Sequence, residues 1–164
     1  MSTMPPLIVT PKILPNTEFT DHRGSIRKLD GETISSHFPS GPMDEYVALS
    51  RQNVFRGFHR QSGGAESAKV FYVLQGRVDM YILEAFPSKN SVISLNKFTL
   101  EPDTGSLFVP AKFFTGYFVA SENALVLARG SAEYSPAHEE TFPPALVFTT
   151  QEMKTWILSE KDSI

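Results

Sequence analysis

The sequence has no cysteine and a single tryptophan. Without thiols there are no disulfides, no thiolate nucleophile and no thiolate metal site, and the chain fits a reducing compartment. No apolar run approaches the ~20 residues that a membrane-spanning helix needs. An excess of one charge is missing too. The 15 Lys and Arg stand against 18 Asp and Glu, a net charge of -3, which argues against a broad nucleic-acid-binding face. There is no internal repeat and no low-complexity linker. The stretch from Met1 to Pro6 carries neither a basic n-region nor an apolar h-region, so no signal peptide is read and the cytoplasm is the expected location. The four histidines (22, 37, 59 and 138) show no metal-ligand spacing.

What remains is an ordinary globular composition, 41% hydrophobic and 20% charged over 164 residues, enough for one domain with a core, taken as residues 1–164. Turn signals recur at Ser62-Gly63-Gly64, Gln75-Gly76, Phe86 to Asn90, Glu101 to Gly105 and Ser121 to Asn123. Between them run short strand patterns, at about 45–51, 53–60, 69–75, 77–84, 92–100, 106–109, 114–120 and 124–134. Many short strands with regular turns predict an all-β sandwich or barrel. Residues 7–14 read as a strand that Pro11 confines to an edge or splits in two. Thr20 to Gly24 is a turn, and residues 30–44 form a loop with a short helical turn from Glu32 to His37. The tail from Thr150 to Asp162 is the best helix candidate, capped at Thr149 or Thr150.

One stretch, Asn53 to Gln61, concentrates the chemistry. Arg56 and His59 stand three residues apart with Gly57 between them, and Lys69 opens the next apolar run ten residues on. A cation to hold an anion, an imidazole to move a proton and an ammonium to stabilise developing negative charge could share one pocket. A basic surface with a satisfied histidine would carry the same residues.

These segments together resemble a family. Asp21-His22-Arg23-Gly24, Arg56 to Gln61, Lys69-Val70, Leu107 to Tyr117, Glu133 to Glu139 and Leu158 to Asp162 are similar, in order and approximate spacing, to segments of the dTDP-4-dehydrorhamnose 3,5-epimerases. The resemblance implies a cupin-type double-stranded β-helix, a jelly-roll barrel with short flanking helices. It also implies a homodimer, a dTDP-sugar in the barrel mouth, and no metal or other cofactor. By the same resemblance His59 is the general base, Asp162 orients its imidazole and Lys69 stands beside the sugar ketone. Arg56 and Arg23 bind the diphosphate, Arg23 reaching in from the other subunit. Gln61, Thr115, Tyr117 and Tyr134 belong to the substrate-binding set, Tyr134 as an aromatic near the nucleotide end.

Three positions depart from the family pattern. Its proton-donating tyrosine aligns to Ala128, a histidine aligns to Thr115, and the aspartate pairing that histidine aligns to Met80. Alanine cannot donate a proton, and a positioned acid is typically worth ~10² to 10⁴ in rate. The expectation is therefore an isomerase that performs single-centre C3 epimerisation, or a keto-isomerisation, on a dTDP-linked 4-keto-6-deoxy sugar, rather than a full 3,5-epimerase. Tyr117 shares strand parity with Thr115 and is a candidate replacement; Tyr72 and Tyr81 have the opposite parity. The alternatives are a catalytically silent nucleotide-sugar binder with a structural or regulatory role, and a cupin-like domain for an unrelated small molecule.

Overall fold

The computed structural model describes residues 6–29 and 31–163; Met1 to Pro5, most of the stretch read for a leader, lie outside the described residues. Twelve strands follow in order: β1 (Lys12–Leu14), β2 (Thr17–Asp21), β3 (Gly24–Lys28), β4 (Asp44–Arg51), β5 (Phe55–Gln61), β6 (Lys69–Gln75), β7 (Val78–Phe86), β8 (Ser91–Leu100), β9 (Ser106–Val109), β10 (Phe114–Val119), β11 (Asn123–Gly130) and β12 (Glu139–Thr141). One helix, α1 (Gly31–His37), fills the loop where a helical turn is expected. Two five-stranded antiparallel sheets form, β1-β9-β6-β11-β4 and β12-β5-β10-β7-β8, with β2 and β3 as a separate hairpin. This is the all-β arrangement that the turn spacing predicts, in the jelly-roll form that the resemblance implies.

Alternation along the strands explains the layers. Along β11 the buried positions are Ala124, Val126, Ala128 and Gly130, and the residues between them are half-buried. The inward residues of both sheets meet in one core, including Phe71, Met80, Ile82, Leu107, Tyr117, Val126 and Ala128. The outer face of the first sheet packs Val70, Tyr72 and Phe108 against Phe38, Ile34 and Ile8 from the N-terminal part of the chain. The outer face of the second packs Phe55, Phe58, Leu83 and Phe114 against Phe142, Phe148, Met153 and Trp156. A jelly roll of this size thus has three apolar layers, and each end of the chain covers one sheet.

Two element readings need correction. Only Lys12–Leu14 of residues 7–14 is a strand, at a sheet edge as Pro11 requires. The tail is not a helix. Its cap signal is real: Thr149 Oγ1 and N both donate to Glu152 Oε2, at 2.9 and 2.6 Å, and Glu152 N donates back to Thr149 Oγ1 at 3.2 Å. One turn forms, and then β5 takes the backbone. Ile157 N donates to Asn53 O at 2.8 Å, Phe55 N donates to Ile157 O at 3.0 Å, and a parallel bridge joins Val54 to Ile157. Extended pairing at Ile157 is incompatible with a helix through it, and Trp156 stacks on Phe55 at 4.8 Å between ring centroids. A short 3₁₀ turn, Lys161–Ser163, ends the described chain.

Candidate active site

A cavity of about 660 Å³ lies between the sheets. Strand β4 and the start of β6 line it from one sheet, β5 and β10 from the other. Simple alternation would point Arg56 and His59 to opposite faces, because they are three residues apart. Both line the cavity, since β5 carries a bulge: Thr115 pairs with His59 but Tyr117 pairs with Arg56, so three steps on β5 oppose two on β10. Phe55 and Phe58 accordingly both face the outer layer. Gly57 makes the bulge possible. Its φ is +124°, and an added Cβ would lie 2.5 Å from Thr115 O and 2.6 Å from Gly116 Cα.

His59 is held between two carboxylates. Its Nδ1 is 2.8 Å from Glu139 Oε1, and its Nε2 is 2.9 Å from Asp162 Oδ1. The Asp162 oxygen lies off the N–H direction and has no aligned hydrogen bond, so this contact is an ion pair by distance and the Glu139 contact is the better hydrogen bond. Glu139 lines the main cavity, whereas Asp162 closes a smaller recess behind His59, with Val54 and Leu158. Burial pushes both carboxyls up. For Asp162 the His59 contact outweighs this, and for Glu139 the Lys161 ammonium, the Tyr134 hydroxyl and His59 do, so both are held below their ordinary values. Glu139 Oε2 takes an ion pair from Lys161 and a 2.8 Å hydrogen bond from Tyr134 Oη.

Lys69 reaches the cavity from the first sheet. Burial lowers its ammonium pKa, opposed by Asp44 and Glu139. Arg56 Nε donates to Ser50 Oγ at 2.8 Å, which fixes the guanidinium at the cavity wall. Gln61 is buried, and its Oε1 accepts from Ser135 N at 2.9 Å, tying the turn that carries Tyr134 to β5. Thr115 and Tyr117 line the floor; the Tyr117 hydroxyl is buried, and burial raises its pKa against Arg56 and Ser50. Met80 and Ala128 are interior, as their parity predicts, but sit in the core rather than on the cavity wall. Tyr72 and Tyr81 face away, into the outer layers.

One chain thus gathers Arg56, His59, Gln61, Lys69, Thr115, Tyr117 and Tyr134 around the cavity, with Asp162 behind His59. Arg23 is elsewhere, on the β2–β3 hairpin, where it forms a bidentate pair with Asp21. Glu139, Asp44 and Tyr46 are among the cavity residues that carry no role in the sequence reading. Glu139 sits in a three-residue strand too short to show a period, although its segment belongs to the resemblance. Parity along β4 would have turned Asp44 and Tyr46 inward together with Ala48 and Ser50. Among the described residues no group of three or more His, Asp or Glu is placed to hold a metal ion, and no helix is long and apolar enough to cross a membrane.

Facing antiparallel sheets around a cavity that holds an imidazole, flanking carboxylates and a buried ammonium define a cupin-like jelly roll equipped for proton transfer. The chain belongs to the dTDP-4-dehydrorhamnose 3,5-epimerase family, whose profile matches residues 8–164. Among solved structures it is similar to the dTDP-4-dehydrorhamnose 3,5-epimerase of Sulfolobus tokodaii, at 26% identity and a TM-score of 0.74, covering 88% of this chain and 82% of that one. The enzyme of the same name from Elizabethkingia anophelis is 23% identical with a TM-score of 0.77, covering 93% and 88%. A 3'-monoepimerase from Streptomyces bikiniensis in complex with dTDP-quinovose shares the fold at 18% identity and a TM-score of 0.79, covering 98% and 84%. A comparison with curated proteins gives no match.

Proposed function

We propose that the protein is an isomerase that removes a proton beside the ketone of a dTDP-linked 4-keto-6-deoxy sugar and works one centre, C3. The observation that carries this reading is His59, set on the cavity wall between Glu139 and Asp162 with the Lys69 ammonium in the same cavity. An imidazole so oriented suits proton transfer, and a buried ammonium stabilises an enolate more strongly than one in water.

In this reading substrate entry frees His59 Nδ1 from Glu139, which stays held by Lys161 and Tyr134, and the Nδ1 proton passes to water, leaving a neutral ring with an open lone pair. The ring takes the C3 proton, and the electron pair moves to the C4 oxygen beside Lys69. Asp162, behind the ring, stabilises the imidazolium. Arg56 grips the diphosphate as a planar donor, and Tyr134, 51% exposed, offers a face to the nucleotide end. Gln61, Thr115 and Tyr117 shape the sugar site. The protein is a homodimer, and Arg23 serves the cavity of the second copy; the exposed Phe19 and Ile26 on its hairpin support such a contact. No cofactor enters the proposed steps.

One observation favours the silent binder. With a carboxylate at each ring nitrogen, His59 has no free lone pair until Glu139 yields. Incubation with dTDP-4-keto-6-deoxyglucose in deuterated water, read by mass spectrometry, separates the readings. One deuterium, lost in His59→Ala, supports single-centre chemistry. Two deuteriums mean that C5 is worked as well. Binding without exchange selects the silent reading.

A further inference from the structure

Inversion at carbon needs a donor on the wall opposite the base, and the cavity holds three phenols. Tyr134 is engaged with Glu139 at 2.8 Å. Tyr117 stands on β10, in the same sheet as His59, with its hydroxyl buried. Tyr46 stands on β4, in the facing sheet, and has no hydrogen bond among the described residues. It lines the cavity and keeps 42% of its residue surface exposed. The register adds an independent point: Tyr46 is the direct cross-strand partner of Ala128 on β11. Directly opposed residues share a face with Cβ atoms ~5 Å apart, so Tyr46 brings a phenol over the small side chain at position 128.

We infer that Tyr46 is the proton donor of the reaction, delivering its hydroxyl proton to the face of C3 opposite His59. This rests on the proposed function. His59 takes the C3 proton, leaving the bonding pair in the enolate. That pair then forms the new C–H bond with the proton of Tyr46 as the C4 carbonyl re-forms. The phenolate is reprotonated from water at the cavity mouth, and His59 releases its proton to water. Burial raises the Tyr46 pKa, with Tyr117 and Asp44 adding to the effect and Arg56 opposing it, so the group is a protonated donor at neutral pH.

The test compares wild type and Tyr46→Phe on dTDP-4-keto-6-deoxyglucose in deuterated water. Mass spectrometry follows exchange into recovered substrate, and NMR follows the inverted product. Tyr46→Phe is expected to keep His59-dependent exchange within a few-fold while inversion falls ~10² to 10⁴. Inversion at the wild-type rate in Tyr46→Phe overturns the assignment. So does parallel loss of exchange and inversion, which marks a binding or structural role. Loss of inversion in Tyr117→Phe with Tyr46→Phe unaffected passes the role to Tyr117. A wild type that binds but shows no exchange overturns the proposed function and this inference together, a result distinct from the others.

Discussion

His59 depends on neighbours that approach from distant parts of the chain, Glu139 from β12 and Asp162 from the 3₁₀ turn at the C-terminus. Asp162→Asn keeps the volume but turns an acceptor into a mixed amide. It is expected to lower kcat by ~10² or more with a much smaller change in KM, measured by steady-state kinetics. Lys69 has the opposite energetics. A lysine whose folded pKa is depressed costs stability while charged, and that cost is relieved as pH rises through the folded value. Lys69→Met should therefore abolish turnover yet stabilise the fold by ~0.5 to 2 kcal/mol near neutral pH, read as a higher Tm. The residue types of this pair were legible in the sequence. The role of Glu139 was not, because its partner is 80 residues away and no local pattern links them.

Strand β5 does its work through an irregularity. Gly57→Ala would force a Cβ against Thr115 O and Gly116 Cα at a φ of +124°. The expected loss is about 3 kcal/mol in thermal unfolding, together with the common aim of Arg56 and His59. The tail segment is the other decisive element. Trp156 stacks on Phe55 and Phe118, at 4.8 and 5.2 Å, six residues before Asp162. Trp156→Ala should cost about 3 kcal/mol by unfolding and lower kcat further by loosening the seat of Asp162. Periodicity located the eight main strands to within about three residues at most ends. It missed the tail because Thr149 and Glu152 carry a genuine helix-start signal, and pairing of Ile157 with Asn53 and Phe55 overrides it after one turn.

At the scale of the molecule, the carboxylates around His59 join one end of the chain to the barrel. Glu139 and Asp162 have folded pKa values below their ordinary 4.5 and 3.8, so their stabilising contribution is present above those values. It is lost as pH falls through the lower, folded ones. Acid unfolding followed by circular dichroism should therefore steepen below about pH 4. In Glu139→Gln and Asp162→Asn that acid-side slope should be shallower; an unchanged slope would mean that other carboxylates control acid stability.

The sequence by itself determined the all-β class, the strand spacing and most of the residue types in the cavity. These follow from alternation, turn residues and side-chain chemistry, which are local. Tertiary structure alone decided that Arg56 and His59 face the same way, that both nitrogens of His59 meet carboxylates and that the tail is extended. It also decided that Tyr46 stands across from Ala128 on the wall facing His59. Each of these depends on register between segments far apart in the chain, set by how whole sheets pack.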